Sequence, residues 1–140
     1  MGLIVLDAGP LIAVLDAQDA HHAAAVVALR EVEASGDRLI VPAAAYAECL
    51  VHPAKRGPSA MSAVDDYLNA LPAAIEPITG LIAREAARLR AKHGRRLRLP
   101  DALVVATALE VGADRILTTD AGWPRLPLRV DVLPTEATAS

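Results

Sequence analysis

Short continuous apolar runs, each about as long as one β-strand, are the feature of this sequence that most restricts its fold. The first is LIVLD at residues 3–7, and Gly9-Pro10 breaks it. A run that is apolar at every position predicts a strand buried on both faces, as in a parallel sheet. Further strands are predicted at residues 39–41, 74–78, 115–118 and 129–133.

Segments with helical character lie between these runs. They are predicted at residues 10–15, 19–35, 43–51, 58–71, 79–93 and 100–111. Proline suits the first helical position and glycine the residue after the end, and several of these segments have one or both. Asp19 is expected to cap the second helix, and Pro53 to end the third. Alternating strands and helices predict an α/β domain with a mainly parallel sheet of four or five strands.

Composition limits the class of protein. The 140 residues are 54% hydrophobic with no Phe, which fits one domain with an aliphatic core and excludes disorder. We expect residues 1–134 to form this domain and residues 135–140 a loose tail. No apolar run approaches the roughly 20 residues of a membrane span, no signal peptide is evident, and Cys49 is the sole cysteine. A soluble, cytoplasmic protein without membrane contact is therefore expected.

Four acidic residues fall at positions where a parallel sheet binds ligands. Asp7 closes the first strand and Asp120 follows the fourth, while Asp101 lies in a first helical turn and Glu48 in the helix after strand two. Ligands bind beyond the carboxyl ends of parallel strands, where the strand order reverses. Clustered carboxylates repel one another unless a cation joins them, and Mg²⁺ or Mn²⁺ prefers such oxygen ligands. Taken singly, Asp7, Asp101 and Asp120 also fit structural roles at a turn or helix end, and Glu48 could be an ordinary exposed helix residue.

The four acids together predict a catalytic metal site that activates water for attack on a phosphate. Neither His, Cys nor Lys has the spacing expected of a base or a covalent nucleophile. Basic residues lie close by in the chain: seven of the fourteen Lys and Arg fall between Arg84 and Arg98, despite a net charge of −3. Arg95, Arg96 and Arg98 directly precede Asp101, and guanidinium groups suit phosphate. A solvated surface or an acidic partner is the alternative for them.

The segments around the acids resemble PIN-domain ribonucleases. They are IVLDAGPLIAVLD, AAAYAECL, RLPDALVVATALEVGA and ILTTDAGW, and their order, spacing and small total size resemble the VapC toxins of bacterial toxin–antitoxin pairs. The resemblance implies a three-layer α/β/α fold and Mg²⁺- or Mn²⁺-dependent RNA cleavage. It carries the catalytic and metal-binding roles onto Asp7, Glu48, Asp101 and Asp120, with Thr118 as a supporting hydroxyl.

The resemblance also implies partners: an RNA substrate, with transfer RNA and ribosomal RNA both plausible, a small cognate antitoxin, and a second copy of the chain in a homodimer. Gly9 departs from the family, which often has Ser or Thr two residues after the first Asp. Trp123, the sole tryptophan, is expected to pack the loop after the last acid.

Other functions fit the sequence less well. A phosphate-transferring hydrolase needs a second acid where Gly9 stands, and a receiver domain needs paired acids and a late Lys. A structure-specific DNA nuclease normally carries long insertions. The principal alternative is a catalytically inactive PIN-like domain that binds protein or RNA, although all four acids are present.

Overall fold

The computed structural model describes residues 2–136. The strands are β1 (Leu3–Leu6), β2 (Arg38–Pro42), β3 (Ala73–Glu76), β4 (Arg115–Thr118) and β5 (Arg129–Val132). The helices are α1 (Ala8–Leu15), α2 (His22–Ser35), α3 (Ala43–Arg56), α4 (Pro58–Ala70), α5 (Gly80–His93) and α6 (Leu99–Val111), with a 3-10 turn at Gly94–Arg96.

The five strands form one sheet in the order β3-β2-β1-β4-β5. Every neighbouring pair is parallel, and β1 pairs with β4 in the register Leu6 opposite Leu117. The first three strands extend the sheet in one direction, after which the chain crosses back to place β4 on the other side of β1. The strand order therefore reverses between β1 and β4, and a ligand crevice is expected at their carboxyl ends.

Both faces of the sheet are covered. Successive residues of a strand point to opposite faces, and Ile4, Val5 and Leu6 of β1 are all at most 1% exposed. A strand can be buried in this way only if helices pack on each side, so the domain has three α/β/α layers. The α/β class and the parallel sheet expected from the sequence are confirmed, with five strands.

The largest differences from the sequence expectation are the end of the third helix and the start of the second. Pro53 lies inside α3 and does not end it, because its carbonyl still accepts the Gly57 amide (3.1 Å) and the helix runs on to Arg56. Gly57, with φ of 116°, separates α3 from α4. Asp19 does not cap α2: its carboxylate accepts the His21 amide (2.8 Å) in the turn before that helix. By contrast, Thr79 caps α5 as expected, accepting the Ile82 amide.

The end of the described chain is attached to the domain, since the Glu136 amide donates to the Ala20 carbonyl (2.9 Å). Residues 137–140, the rest of the expected tail, lie outside the described residues. Within residues 2–136, no helix combines the length and the apolar character needed to cross a membrane.

Candidate active site

Asp7 and Thr118 form the centre of the crevice between β1 and β4. The Asp7 amide donates to the Leu117 carbonyl (3.0 Å), which extends the pairing of the two strands by one residue. The Thr118 hydroxyl donates to Oδ2 of Asp7 (2.8 Å), and both side chains are buried. One carboxylate oxygen of Asp7 is thus fixed by the neighbouring strand. Thr118 makes a specific contact that its β-branched shape alone would not require.

Asp120 is joined to the same pair through the backbone. Its amide donates to the Thr118 hydroxyl (3.1 Å), and its Oδ1 accepts the Gly122 amide (2.8 Å). The second bond closes a tight turn of the kind that Asp side chains favour. Asp120 therefore has the turn-forming role that its sequence context suggested, and it also lies within the electrostatic reach of two other acids.

Asp101 and Glu48 approach Asp7 from two helices. Burial raises the pKa of Asp101 to about 6, and the charges of Asp7 and Asp120 contribute to that rise. Burial is also the main cause that raises the pKa of Glu48, followed by the charge of Asp101. Four acids from four separate segments of the chain are therefore close enough to disfavour one another's ionised forms.

Asp7 itself is subject to opposing effects. Burial raises its pKa, and the charges of Glu48 and Asp120 act in the same direction. The hydrogen bond from Thr118 and the nearby Ala8 amide lower it, with burial the largest effect. This environment favours binding of a cation, because a cation would offset both the cost of burying the ionised carboxylate and its repulsion from the other acids.

The donors in the crevice suit a hard divalent cation. They are carboxylate oxygens with one hydroxyl, the ligand types of Mg²⁺ and Mn²⁺. Among residues 2–136, no three Asp, Glu, His or Cys side chains converge tightly enough to enclose an ion by themselves. The arrangement fits an ion that keeps several waters beside one or two carboxylates, as Mg²⁺ usually does.

A cysteine nucleophile at this site is not supported. Cys49, next to Glu48 in α3, is buried, and burial raises its pKa to about 11. The thiol consequently stays protonated near neutral pH, and a thiol in that state is a poor nucleophile.

The three arginines before α6 are placed differently from one another. Arg98 lies at the start of α6 and lowers the pKa of both Glu48 and Asp101, so its positive charge faces the acids. Arg95 and Arg96 are exposed on the 3-10 turn. Leu97 between them and Arg98 is fully buried and anchors the segment.

Gly9 is explained by a residue that the sequence did not indicate. A Cβ at position 9 would overlap the hydroxyl oxygen of Thr119 and would lie 3.1 Å from its Cβ. A side chain at position 9 would therefore require Thr119 to change its rotamer, and the Thr119 Cβ would still lie at the tight distance of 3.1 Å. The hydroxyl beside the first turn of α1 therefore comes from Thr119 on the opposing loop. The missing side chain at Gly9 was the only sequence signal of this close approach.

Comparison with known families identifies the chain. The model of the PIN domain matches residues 4–128. The chain belongs to the PIN-domain family, as its motifs indicated. No curated protein matches the sequence.

Solved structures with the same fold include bacterial toxins of this family. VapC20 of Mycobacterium tuberculosis, a toxin that cleaves the sarcin–ricin loop, is 21% identical, with 81% of this chain and 86% of that chain covered and a TM-score of 0.65. VapBC2 of Rickettsia felis, bound to a promoter DNA fragment, is 14% identical, with 94% and 99% covered and a TM-score of 0.76. A toxin–antitoxin complex from Klebsiella pneumoniae is 21% identical, with 87% and 96% covered and a TM-score of 0.65.

The raised pKa of Asp101 predicts a characteristic dependence of stability on pH. Its folded pKa of about 6 exceeds the ordinary 3.8, so between these values the folded state binds more protons than the unfolded state. The contribution of Asp101 to the free energy of unfolding is therefore at its maximum below the ordinary pKa and is lost as the pH rises to about 6.

This dependence is tested by thermal melting in EDTA. Asp101→Asn should melt at a higher temperature than the parent at pH 7.5, and the difference should be smaller at pH 4. The control is Asp66→Asn, at an exposed position of α4. Parallel melting profiles for parent and Asp101→Asn would contradict this prediction.

Proposed function

We propose that this chain is a divalent-metal-dependent endoribonuclease that acts as the toxin of a toxin–antitoxin pair. The observation that carries the proposal is the convergence of Asp7, Glu48, Asp101 and Asp120 at the reversal of strand order, with Thr118 donating to Asp7. Membership of the PIN-domain family supports nuclease activity. The toxin role is supported by the likeness of the fold to VapC20 and to the Klebsiella complex.

Asp7 and Asp101 would hold Mg²⁺ or Mn²⁺, and Glu48 and Asp120 would contribute directly or through water. The ion would supply an activated water and neutralise charge on the phosphate. The residues of the chain prepare the site for this. Thr118 donates to Oδ2 of Asp7 and the Ala8 amide also lies against this carboxylate, so its orientation is fixed before an ion binds. The Gly122 amide holds Oδ1 of Asp120 in the same way. Ligands held in fixed orientations lose little freedom when an ion or a substrate binds.

The RNA backbone would approach from the side of the arginines. Arg98 is the one whose charge reaches the acids, and Arg95 and Arg96 extend the positive surface outward from it. Phosphates carry negative charge, so they would be repelled by the acids alone; a strip of arginines beside the acids offsets that repulsion. We propose a structured RNA, transfer RNA or ribosomal RNA, as the substrate.

Replacement of one acid tests the catalytic proposal. Asp7→Asn keeps the size of the side chain and the bond from Thr118, but it removes the charge. We expect cleavage of a structured RNA in Mg²⁺ or Mn²⁺ to fall by more than about 100-fold, because loss of even an outer partner of a metal site costs about 10–100-fold. Cleavage by the parent should stop in EDTA and return with added metal.

Asp66→Asn is the matched control, since it makes the same change at an exposed position far along the chain from the site acids. Circular dichroism should show an unchanged fold for both variants. Full RNA cleavage by Asp7→Asn would contradict the assignment of these acids as the catalytic site. No cleavage by the parent with either metal would favour an inactive, binding PIN-like domain.

The arginines are tested by salt dependence. Replacing Arg95, Arg96 and Arg98 by Ala should weaken RNA binding, and the slope of log affinity against log salt should become shallower by about 0.7 for each single-strand phosphate that the variant no longer binds. Binding is measured with Asp7→Asn as the background so that the RNA stays intact. The control removes two other exposed arginines, Arg30 on α2 and Arg38 at the amino end of β2, whereas the site acids lie beyond the carboxyl ends of the strands. Equal slopes in all variants would rule out phosphate binding at these arginines.

An apolar groove next to the acids is the proposed seat of the antitoxin. Helices α1, α3 and α4 enclose a cavity of about 480 Å³ with a mainly apolar lining that includes Ile12, Leu15, Cys49 and Val64; its polar members are Asp16, Glu48, His52 and Arg56. Ile12 and Leu15 are each 39% exposed, so the groove presents contiguous apolar surface to solvent. An amphipathic segment fits such a surface, with its apolar side against the helices. A partner seated there would also reach Glu48.

Substitution in the groove tests this partner. Ile12→Glu should prevent copurification with the proposed antitoxin, because a carboxylate would be desolvated in the interface. Val27→Glu is the control, placed in a separate apolar patch where α2 meets Leu133 and Pro134. If both variants retain the antitoxin equally, the groove is not the surface that binds it.

A further inference from the structure

Thr119 fills the space that the missing side chain of Gly9 leaves, the Gly9 notch. Its Oγ1 would overlap a Cβ placed there, and its own Cβ and Cγ2 lie 3.1 and 3.2 Å from that position. Gly9 belongs to the first turn of α1, and glycine is less favourable than alanine in a helix. The glycine is therefore explained by the loop that packs onto it and not by the helix that contains it.

Packing sets this contact. Within the part of the chain that the structure describes, the Thr119 hydroxyl has no hydrogen bond to another protein group, whereas the neighbouring Thr118 hydroxyl donates to Asp7 (2.8 Å). Thr119 is half-buried. Since no directional bond holds its side chain, the shape of the Gly9 notch decides where that side chain lies.

Thr118 and Thr119 attach the end of β4 to two different places. Thr118 binds Asp7 at the end of β1, and Thr119 contacts Gly9, two residues further along in α1. A single attachment at Asp7 would leave the residues that follow free to pivot about that bond. The second attachment removes this freedom, so the direction in which the chain leaves β4 is defined.

Asp120 is the residue that this direction affects most. It directly follows Thr119, and its amide donates to the Thr118 hydroxyl (3.1 Å). Its Oδ1 accepts the Gly122 amide (2.8 Å), a bond within the loop that moves with the loop. Further on, Trp123 packs against the core as expected. The loop is thus anchored on both sides of Asp120, and a displacement of Thr119 would move that acid first.

We propose that Thr119 is a positioning residue: seated in the Gly9 notch, it sets the separation of Asp120 from Asp7 and thereby the affinity of the acidic site for a divalent cation. Residues that orient metal ligands from outside contribute about 10–100-fold to metal affinity or activity. The inference rests on the proposed function for the cation. It adds that positions 9 and 119 act as a pair.

Exchange of the notch and its occupant tests the pair. Gly9→Ala places a methyl group against Oγ1 of Thr119, and Thr119→Ala empties the notch. We expect each single substitution to weaken Mn²⁺ binding about 10-fold, the lower end of the range for outer partners of a metal site. In the double variant the new methyl group fills the vacated space, so we expect an affinity within about threefold of the parent, a non-additive result that marks residues in contact. Free Mn²⁺ is measured by electron paramagnetic resonance, which needs neither RNA nor activity.

Two further variants separate positioning from loss of stability. Thr119→Ser keeps an Oγ for the notch and should retain the Mn²⁺ affinity of the parent. Gly80→Ala makes the same change as Gly9→Ala in the first turn of α5, where a Cβ meets nothing within 4 Å, and should leave that affinity unchanged. Titrations are run well below the melting transition of every variant, with circular dichroism to show that each is folded.

An unchanged Mn²⁺ affinity in either single variant, or losses that add in the double variant, would overturn the inference. If Gly9→Ala does not fold, the comparison of Thr119→Ala with Thr119→Ser decides, and equal affinities of these two variants would overturn it.

RNA cleavage separates this inference from the proposed function. If the Mn²⁺ affinities follow the expected pattern but the parent cleaves no RNA, the positioning role stands and the proposed ribonuclease fails. If the parent cleaves RNA and Asp7→Asn does not, but the variants at positions 9 and 119 bind Mn²⁺ as the parent does, the proposed function stands and the inference fails. A parent that binds no Mn²⁺ overturns the inference and the metal dependence together.

Discussion

The parallel pairing of β1 with β4 is the constraint on which the rest of this structure depends. These strands are far apart in the sequence, and their register places Leu6 opposite Leu117. The next residue on each strand is then Asp7 and Thr118, whose side chains meet at 2.8 Å. A slip of one strand by one residue would turn its side chains to the opposite face of the sheet and separate Asp7 from Thr118. The register is protected by burial, because Val5, Leu6, Ile116 and Leu117 are each at most 2% exposed.

The aliphatic core supports a site that is unfavourable by itself. Four acids close together raise one another's free energy, and burial of Asp7 and Asp101 adds to it. The structure offsets part of this with donors: the Thr118 hydroxyl, the Gly122 amide and the Arg98 charge. The remaining repulsion is what a cation would relieve. The same interactions that lower the stability of the metal-free protein thus favour binding of a cation.

The pattern of apolar residues and the glycines that end several helices were sufficient to predict the architecture, because the buried strands are apolar at every position. They failed at Pro53, where one missing hydrogen bond did not outweigh the continuation of α3 to Arg56. The positions of Asp7, Asp101 and Asp120 were expected from strand and helix ends, whereas Glu48, inside α3, was chosen mainly from the family resemblance. The close approach of Thr119 to Gly9 and the burial of the Trp123 indole nitrogen could not be predicted. Both depend on the path of the loop after β4, and loops have no periodic signal.

Glu48 shows why the site and the groove should be considered as one surface. It lies on α3, carries a pKa raised by burial and by Asp101, and also lines the end of the groove formed with α1 and α4. A positively charged group at the tip of a segment seated in the groove would therefore reach the acids and compete with a metal for the same carboxylates. Apolar burial along the groove would hold that segment, and charge at its tip would block the site. The apolar surface comes from three helices, but Glu48 on α3 is the residue that belongs both to the groove and to the cluster of acids.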